Sequence, residues 1–329
     1  MRNDRIDALR GIAALGIIAL HIPHYPEFPA DLVAALRGLL RWCVPFFFLL
    51  TGYYLTRPGE ALPRFSRQRL LRLVLLTALA NLLYLPIGLW RYGELMGAGQ
   101  ALFFGTWYHL WYLNGLLMSA MLIEALGRRD HVVLAQGLGL VIALGFAATS
   151  AMLAFEHGSE LTNATVRQFL GLPCLLAGAA LHRVETPRLR PALAVLGVGI
   201  TLLLGEMAVV RALGGSWMIV QWSIGTAVLT IGLFLTGLAT NWRVPGALAR
   251  WGRDEALGIY LFHPALIIAA GAILTGKLAS VPQGAPGLAL LALTGLLSIL
   301  LMRGLARLPR LRAALLGEFP LGRRAAAQS

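Results

Sequence analysis

The sequence predicts an all-α, polytopic integral membrane protein of about ten transmembrane helices, with both termini on the cytoplasmic side. Three observations lead there. Of 329 residues, 58% are hydrophobic and only 13% are charged, and the mean hydropathy is +0.72; a soluble domain carries about a quarter charged residues. The apolar residues gather into runs close to the ~20 residues that a helix needs to cross the hydrocarbon core. The basic residues fall mostly on alternate sides of those runs, as the positive-inside rule requires.

Ten runs, each closed by charge, Pro or Gly, cover about 6–22, 38–56, 70–90, 107–126, 132–154, 166–182, 191–213, 217–239, 256–275 and 287–306. The first has the basic start and short apolar core of a signal peptide. It is followed, however, by Leu20-His21-Ile22-Pro23-His24, which offers no small-x-small cleavage site, so a retained helix is expected. The second lies between Arg37 and Arg57, and the third follows Arg67-Gln68-Arg69. The Gly-rich stretch 93–106 is expected to be interfacial or re-entrant. The fourth opens on an aromatic belt, Trp107-Tyr108-His109-Leu110-Trp111-Tyr112, and the fifth follows Arg128-Arg129. The remaining five are punctuated by Arg183, Gly214-Gly215, Arg243, Lys277 and Arg307. Residues 1–312 read as one transmembrane domain and 313–329 as a short basic cytoplasmic tail. No internal repeat is visible, so a transporter built from duplicated halves gains no support.

With the N-terminus inside, only Arg37, Arg41, Arg91, Arg167, Arg211 and Lys277 fall outside; the other 22 of the 28 basic residues fall inside. That imbalance sets the orientation and, because both ends are basic, an even number of spans. The net charge of +13 therefore speaks for anionic lipid headgroups rather than nucleic acid. Cys43 and Cys174 sit inside apolar runs, without metal-ligand or disulfide spacing, and read as small core residues.

Ionisable groups inside the membrane are expensive, so each is a functional candidate. The first helix carries Asp7, Arg10 and His21. Eleven residues at about 100° each bring Arg10 and His21 onto one face, about 16 Å apart along the axis. Asp7 is one turn from Arg10, within ion-pair reach, and Gly11 and Ala14 on the same stripe let another helix approach. Arg69 and Arg72, at i and i+3, read either as a clamp for a phosphate or as ordinary flanking charge. His109 and Asn114 enter the membrane on the fourth span, beside Trp111. His263 lies near mid-membrane on the ninth, after Tyr260 and next to the kinking Pro264. Glu206 and Arg211 are placed to pair with each other.

Together these residues resemble the acyltransferase 3 family of bacterial membrane acyltransferases. Arg10 and His21 look like its R-x10-H signature, Arg69-Leu70-Leu71-Arg72 its RxxR motif, His109-Leu110-Trp111-Tyr112-Leu113 its H-x-W-[YF]-L stretch, and Tyr260-Leu261-Phe262-His263-Pro264 its Y-L-x-H-P segment. The motifs come in the family's order and span essentially the whole chain. Asp254-Glu255 departs from the small, Ser-containing stretch of many relatives.

The resemblance implies transfer of an acyl group, most often acetyl, from cytoplasmic acyl-CoA to a hydroxyl of an envelope glycan or lipid-linked sugar. It implies a multi-pass protein of the bacterial cytoplasmic (inner) membrane, with no metal and no permanently bound cofactor; acyl-CoA is the co-substrate. A stand-alone enzyme is expected, since no esterase-like domain follows the tenth span. His21 is the expected general base, and Arg10, Arg69 and Arg72 the expected ligands of the CoA phosphates. Asp7, His109, Trp111, Asn114, Tyr260 and His263 are supporting candidates. The Arg10–His21 separation matches the reach of a pantetheine arm. The alternatives are a secondary transporter, a non-catalytic membrane subunit and, within the resemblance, the membrane part of a serine or alanine racemase.

Overall fold

The computed structural model describes residues 3–92, 103–127, 131–185, 187–279 and 281–317. Most of the interfacial stretch predicted at 93–106, the tail beyond 317, and Arg2, Arg128, Arg129, Arg323 and Arg324 lie outside the described residues. Among the described residues all regular structure is helical. In chain order the helices are α1 (Asp4–His21), α2 (Ala30–Leu40), α3 (Cys43–Leu55), α4 (Arg67–Tyr92), α5 (Trp111–Gly127), α6 (Val132–Ala154) and α7 (Glu160–Gln168). There follow α8 (Gly171–His182), α9 (Leu189–Ala212), α10 (Ile224–Ala239), α11 (Gly246–Asp254), α12 (Ala256–Thr275), α13 (Gly287–Ala306) and α14 (Pro309–Leu315).

Seven helical segments are long and apolar enough to cross a membrane: Ala30–Leu55, α4, α6, Glu160–His182, α9, α12 and α13. The other three expected spans coincide with α1, α5 and α10, of 18, 17 and 16 residues. Four expected starts move: the fourth and eighth spans begin at Trp111 and Ile224 rather than near 107 and 217, and the second and sixth shift as well. The second span starts at Ala30 rather than near 38, because α2 and α3 form one path that breaks only at Arg41-Trp42. The sixth starts at Glu160 rather than near 166, through the short polar helix α7. Helices α11 and α14 are additional; α14 straddles the 312/313 boundary drawn for the tail.

Helix α1 is the hub. Asn3 Oδ1 caps it by accepting from the amides of Arg5 and Ile6, which satisfies two otherwise orphaned donors. It packs against α2, α3, α10, α11, α12 and α13, burying Ile6, Asp7, Gly11, Ala13, Ala14, Gly16, Ile17 and Ile18. A helix enclosed on so many sides need not be as apolar as one facing lipid, which is how α1 accommodates Asp7 and Arg10. By contrast α6 and α9 bury only 17% of their most apolar stretch and present Val133, Val141, Val198 and Val209 to the surroundings. The tightest seams are made by glycine. A Cβ on Gly52 of α3 would lie 2.0 Å from the Leu175 carbonyl oxygen of α8, and one on Gly178 of α8 would lie 2.1 Å from the Leu49 carbonyl oxygen of α3.

Candidate functional site

Where α1 meets α12, two histidines touch. His263 is fully buried, and its Nε2 lies 3.1 Å from Nδ1 of His21. The local chemistry of α12 fixes how the protons are placed. Pro264 has no N–H to give the carbonyl four residues back, so the Tyr260 carbonyl loses its helical donor. That oxygen lies 2.7 Å from His263 Nδ1. A carbonyl only accepts, so Nδ1 of His263 carries the proton and its Nε2 is a lone pair in the neutral ring. The Ile17 carbonyl is 2.8 Å from His21 Nδ1, so His21 Nδ1–H is shared between that carbonyl and His263 Nε2. The neutral His21 ring is then left with an unprotonated Nε2, the state a general base requires.

Aromatic and imidazole rings close around this pair. His109 is 1% exposed, with its ring centroid 5.3 Å from that of His263, 4.6 Å from Tyr84 and 5.4 Å from Tyr260. Among the described residues neither ring nitrogen of His109 has a hydrogen-bond partner. Two phenols lock the backbone: Tyr260 Oη donates to the His109 carbonyl at 2.7 Å, and Tyr84 Oη donates to the Leu261 carbonyl at 2.7 Å. Asn114 braces the far side of α5. Its Oδ1 accepts from Asn81 Nδ2 at 3.2 Å, and Asn81 Oδ1 accepts from the Thr106 amide at 2.8 Å.

Two cavities flank the histidines. One, of about 340 Å³, lies toward the Arg10 end of α1 and is lined by Arg10, Ile17, Val44, Phe47, Tyr112 and Tyr260, among others. The second, of about 360 Å³, contains His21 itself with Tyr108, Trp111, Arg37, Arg41, Arg167 and Gln221. Val44 of α3 lines both. Arg10 and His21 thus line two different cavities that meet at Val44.

At the Arg10 end, Asp7 is 5% exposed and pairs with Arg10 at 3.3 Å, as the spacing predicted. It also pairs with Arg253 of α11 at 3.7 Å. Arg69 and Arg72 do not join Arg10. Both are exposed on the first turns of α4, where Arg69 reaches back to the Arg64 carbonyl at 3.4 Å, and neither lines the cavity. Near this end of α4 their long side chains reach outward, as basic side chains at a helix end do. The expected Glu206–Arg211 pair is also absent. Glu206 instead accepts from the Gly225 amide at the start of α10 (3.1 Å), favoured by the helix dipole, and Arg211 pairs with Asp31 at 2.7 Å. Trp111 meets a cation: the Arg167 guanidinium lies 4.9 Å from its ring centroid. In the loop after α1, Tyr25 donates to the Ala19 carbonyl at 2.9 Å, and burial pushes its phenol up to about 12, so it remains a donor at physiological pH.

The site thus unites His21, His109, Tyr260 and His263 and keeps Trp111 in the wall of the His21 chamber, while Asn114 lines neither cavity and pairs with Asn81 behind α5. The sequence reading missed Tyr84, Val44, Arg37, Arg41, Arg167 and the second partner of Asp7. For the three arginines a signal existed: each is a cation on the side where cations are scarce.

A family model described as an acyltransferase domain matches residues 3–303. Over 140 residues the chain is 33% identical to a serine/alanine racemase of Enterococcus gallinarum, a stretch covering 38% of this chain and 20% of that protein. Over 146 residues it is 30% identical to an amino-acid racemase of Enterococcus faecalis, covering 39% and 20% respectively. The matched region spans about a fifth of the length of these curated relatives. No solved structure matches.

Proposed function

The chain belongs to the acyltransferase 3 family, and from that premise we propose that it moves an acetyl group from cytoplasmic acyl-CoA to a hydroxyl of an envelope glycan or lipid-linked sugar. The observation that carries this reading is the hydrogen-bond chain Tyr260 carbonyl–His263–His21, which leaves one imidazole nitrogen of His21 unprotonated in the chamber that His21 lines. The Arg10 chamber suits the donor: Arg10 meets a CoA phosphate near the mouth, and the pantetheine arm runs along the apolar wall toward Val44. The His21 chamber suits the acceptor. Arg69 and Arg72, exposed on α4, make a basic approach for the donor phosphates rather than a clamp inside the cavity.

In the reaction, the acceptor oxygen attacks the thioester carbonyl while His21 Nε2 takes the hydroxyl proton. The tetrahedral intermediate collapses, the C–S bond breaks, and the proton passes to the departing CoA thiolate. The positive charge carried briefly by His21 is stabilised through Nδ1–H, which faces two acceptors, the Ile17 carbonyl and His263 Nε2.

Purified protein incubated with acetyl-labelled acetyl-CoA and a cell-envelope extract is expected to label a glycan or glycolipid fraction. Label that stays in CoA, together with solute flux across proteoliposomes without acyl-CoA, would replace this reading with transport. A second expectation concerns His263 as a positioning residue. His263→Phe removes an acceptor facing the charged form of His21, a hydrogen bond worth about 1.5–3 kcal/mol, so kcat should fall about 10- to 100-fold with both KM values unchanged. His263→Gln, which keeps an acceptor, should recover most of the rate; equal losses in the two variants would assign His263 to packing alone.

A further inference from the structure

Among the described residues the chamber that holds His21 is lined by three guanidiniums and no carboxylate. Arg37 lies on α2, Arg41 follows it at the break before α3, and Arg167 comes from α7, yet all three line this one cavity. Each anchors a terminal nitrogen on the protein. Arg37 Nη2 donates to the Ile22 and Pro23 carbonyls at 2.6 and 3.0 Å, Arg41 Nη2 to the Met218 carbonyl at 2.7 Å, and Arg167 Nη1 to Gln221 Oε1 at 3.0 Å. Each also keeps a buried Nε without a hydrogen-bond partner among the described residues. No ion pair involves any of them among the described residues. Asp31 and Glu27, the acids nearest Arg37 and Arg41 in the chain, are engaged elsewhere, Asp31 with Arg211 and Glu27 with the Leu288 amide, and Glu206 accepts from the Gly225 amide.

Like charges gathered in a half-buried chamber repel, and burying a cation without a counter-charge is costly. The topology deepens the anomaly, because these are half of the six basic residues on the cation-poor side. Headgroup binding does not explain them, since they point into a cavity. Their planar forks, pinned at one end, are preorganised for an oxyanion.

We propose that the molecule acylated at His21 is an anion, a glycan or lipid-linked sugar bearing a phosphate or carboxylate that Arg37, Arg41 and Arg167 hold while one of its hydroxyls lies at His21. This rests on the acyl-transfer reading above and names the acceptor class for that site.

Inorganic pyrophosphate and D-galacturonate serve as probes, titrated by calorimetry into the purified full-length chain. The wild type should bind at least one of them, and the preferred probe distinguishes phosphate from carboxylate. Arg41→Gln and Arg167→Gln should each weaken that binding at least tenfold. Without anion both variants should melt no lower than the wild type, because a repelling charge has been removed, and both should lose the rise in Tm that the probe gives the wild type. Bound probe should be displaced by an envelope extract and not by CoA, and the acetyl-labelled product should be retained on an anion exchanger. Absence of binding, binding unchanged in both variants, displacement by CoA alone, or a labelled product that flows through the exchanger would each overturn the proposal. If the probe binds through the arginines but no acetyl is transferred, the acyl-transfer reading fails and the anion site stands by itself.

Discussion

His21→Ala should lower the rate of acetyl transfer by about 10²- to 10⁴-fold, the range associated with loss of a positioned general base, while acetyl-CoA still binds with wild-type affinity. The two halves of that statement come from different parts of the structure. His21 lines the chamber opposite the one that contains Arg10, so removing the imbdazole's ring should leave the proposed donor path intact. The substitution also leaves His263 Nε2 without its partner and leaves the Ile17 carbonyl with its helical bond alone, but neither change touches the α1–α11 seam or the Asp7 ion pairs. The variant should therefore purify as a folded protein. In the wild type, kcat against pH should show an acid limb from titration of one imidazole, and in the variant that limb should vanish with the residual rate flat. Transfer undiminished in a folded His21→Ala protein would remove the general base from the mechanism. A loss confined to KM for acetyl-CoA would move His21 to the donor side.

Much of this site was legible before the structure, for an identifiable reason. Arg10 and His21 share one helix, and helical period alone relates positions within a helix. Asp7 and Arg10 pair as their spacing requires, and Gly11 and Ala14 face a neighbour as their size suggests. Contacts between distant segments carried no such signature. The His21–His263 hydrogen bond joins residues 242 positions apart, and its proton arrangement follows only once Pro264 is seen to free the Tyr260 carbonyl. For Arg69 and Arg72 the spacing shows that two residues share a face but not what the face meets. Helices α7 and α11 escaped notice because apolar runs were the signal sought: Glu160–Gln168 and Gly246–Asp254 are both polar on average. Arg37 and Arg41 are one helical turn apart on the α2–α3 path, but Arg167 comes from the distant α7, so only folding reveals that these three exceptions to the charge rule share one place.

Gly252→Ala should cost about 3 kcal/mol or more, because one methyl group has nowhere to go. Gly252 lies on α11 against α1, where an added Cβ would stand 1.6 Å from the Asp7 carbonyl oxygen and 2.6 Å from the Gly11 amide nitrogen. Both obstacles are backbone, so no rotamer relieves them and the two helices must separate. Overpacking that a side chain can absorb typically costs 1–3 kcal/mol; a clash with rigid backbone belongs above that range. Separation would also pull Arg253 from Asp7, loosening the carboxylate that holds Arg10 at the mouth of the donor chamber. The midpoint of thermal unfolding in detergent should fall sharply, and any folded fraction should bind acetyl-CoA more weakly. Gly295→Ala supplies the opposite sign. That glycine, on α13, has nothing within 4 Å of the added Cβ, and a helical Gly→Ala change without clash is worth roughly 0.5–1 kcal/mol in favour of the folded state. If the two substitutions shift the midpoint alike, close approach of α11 to α1 does not organise the donor end of the protein.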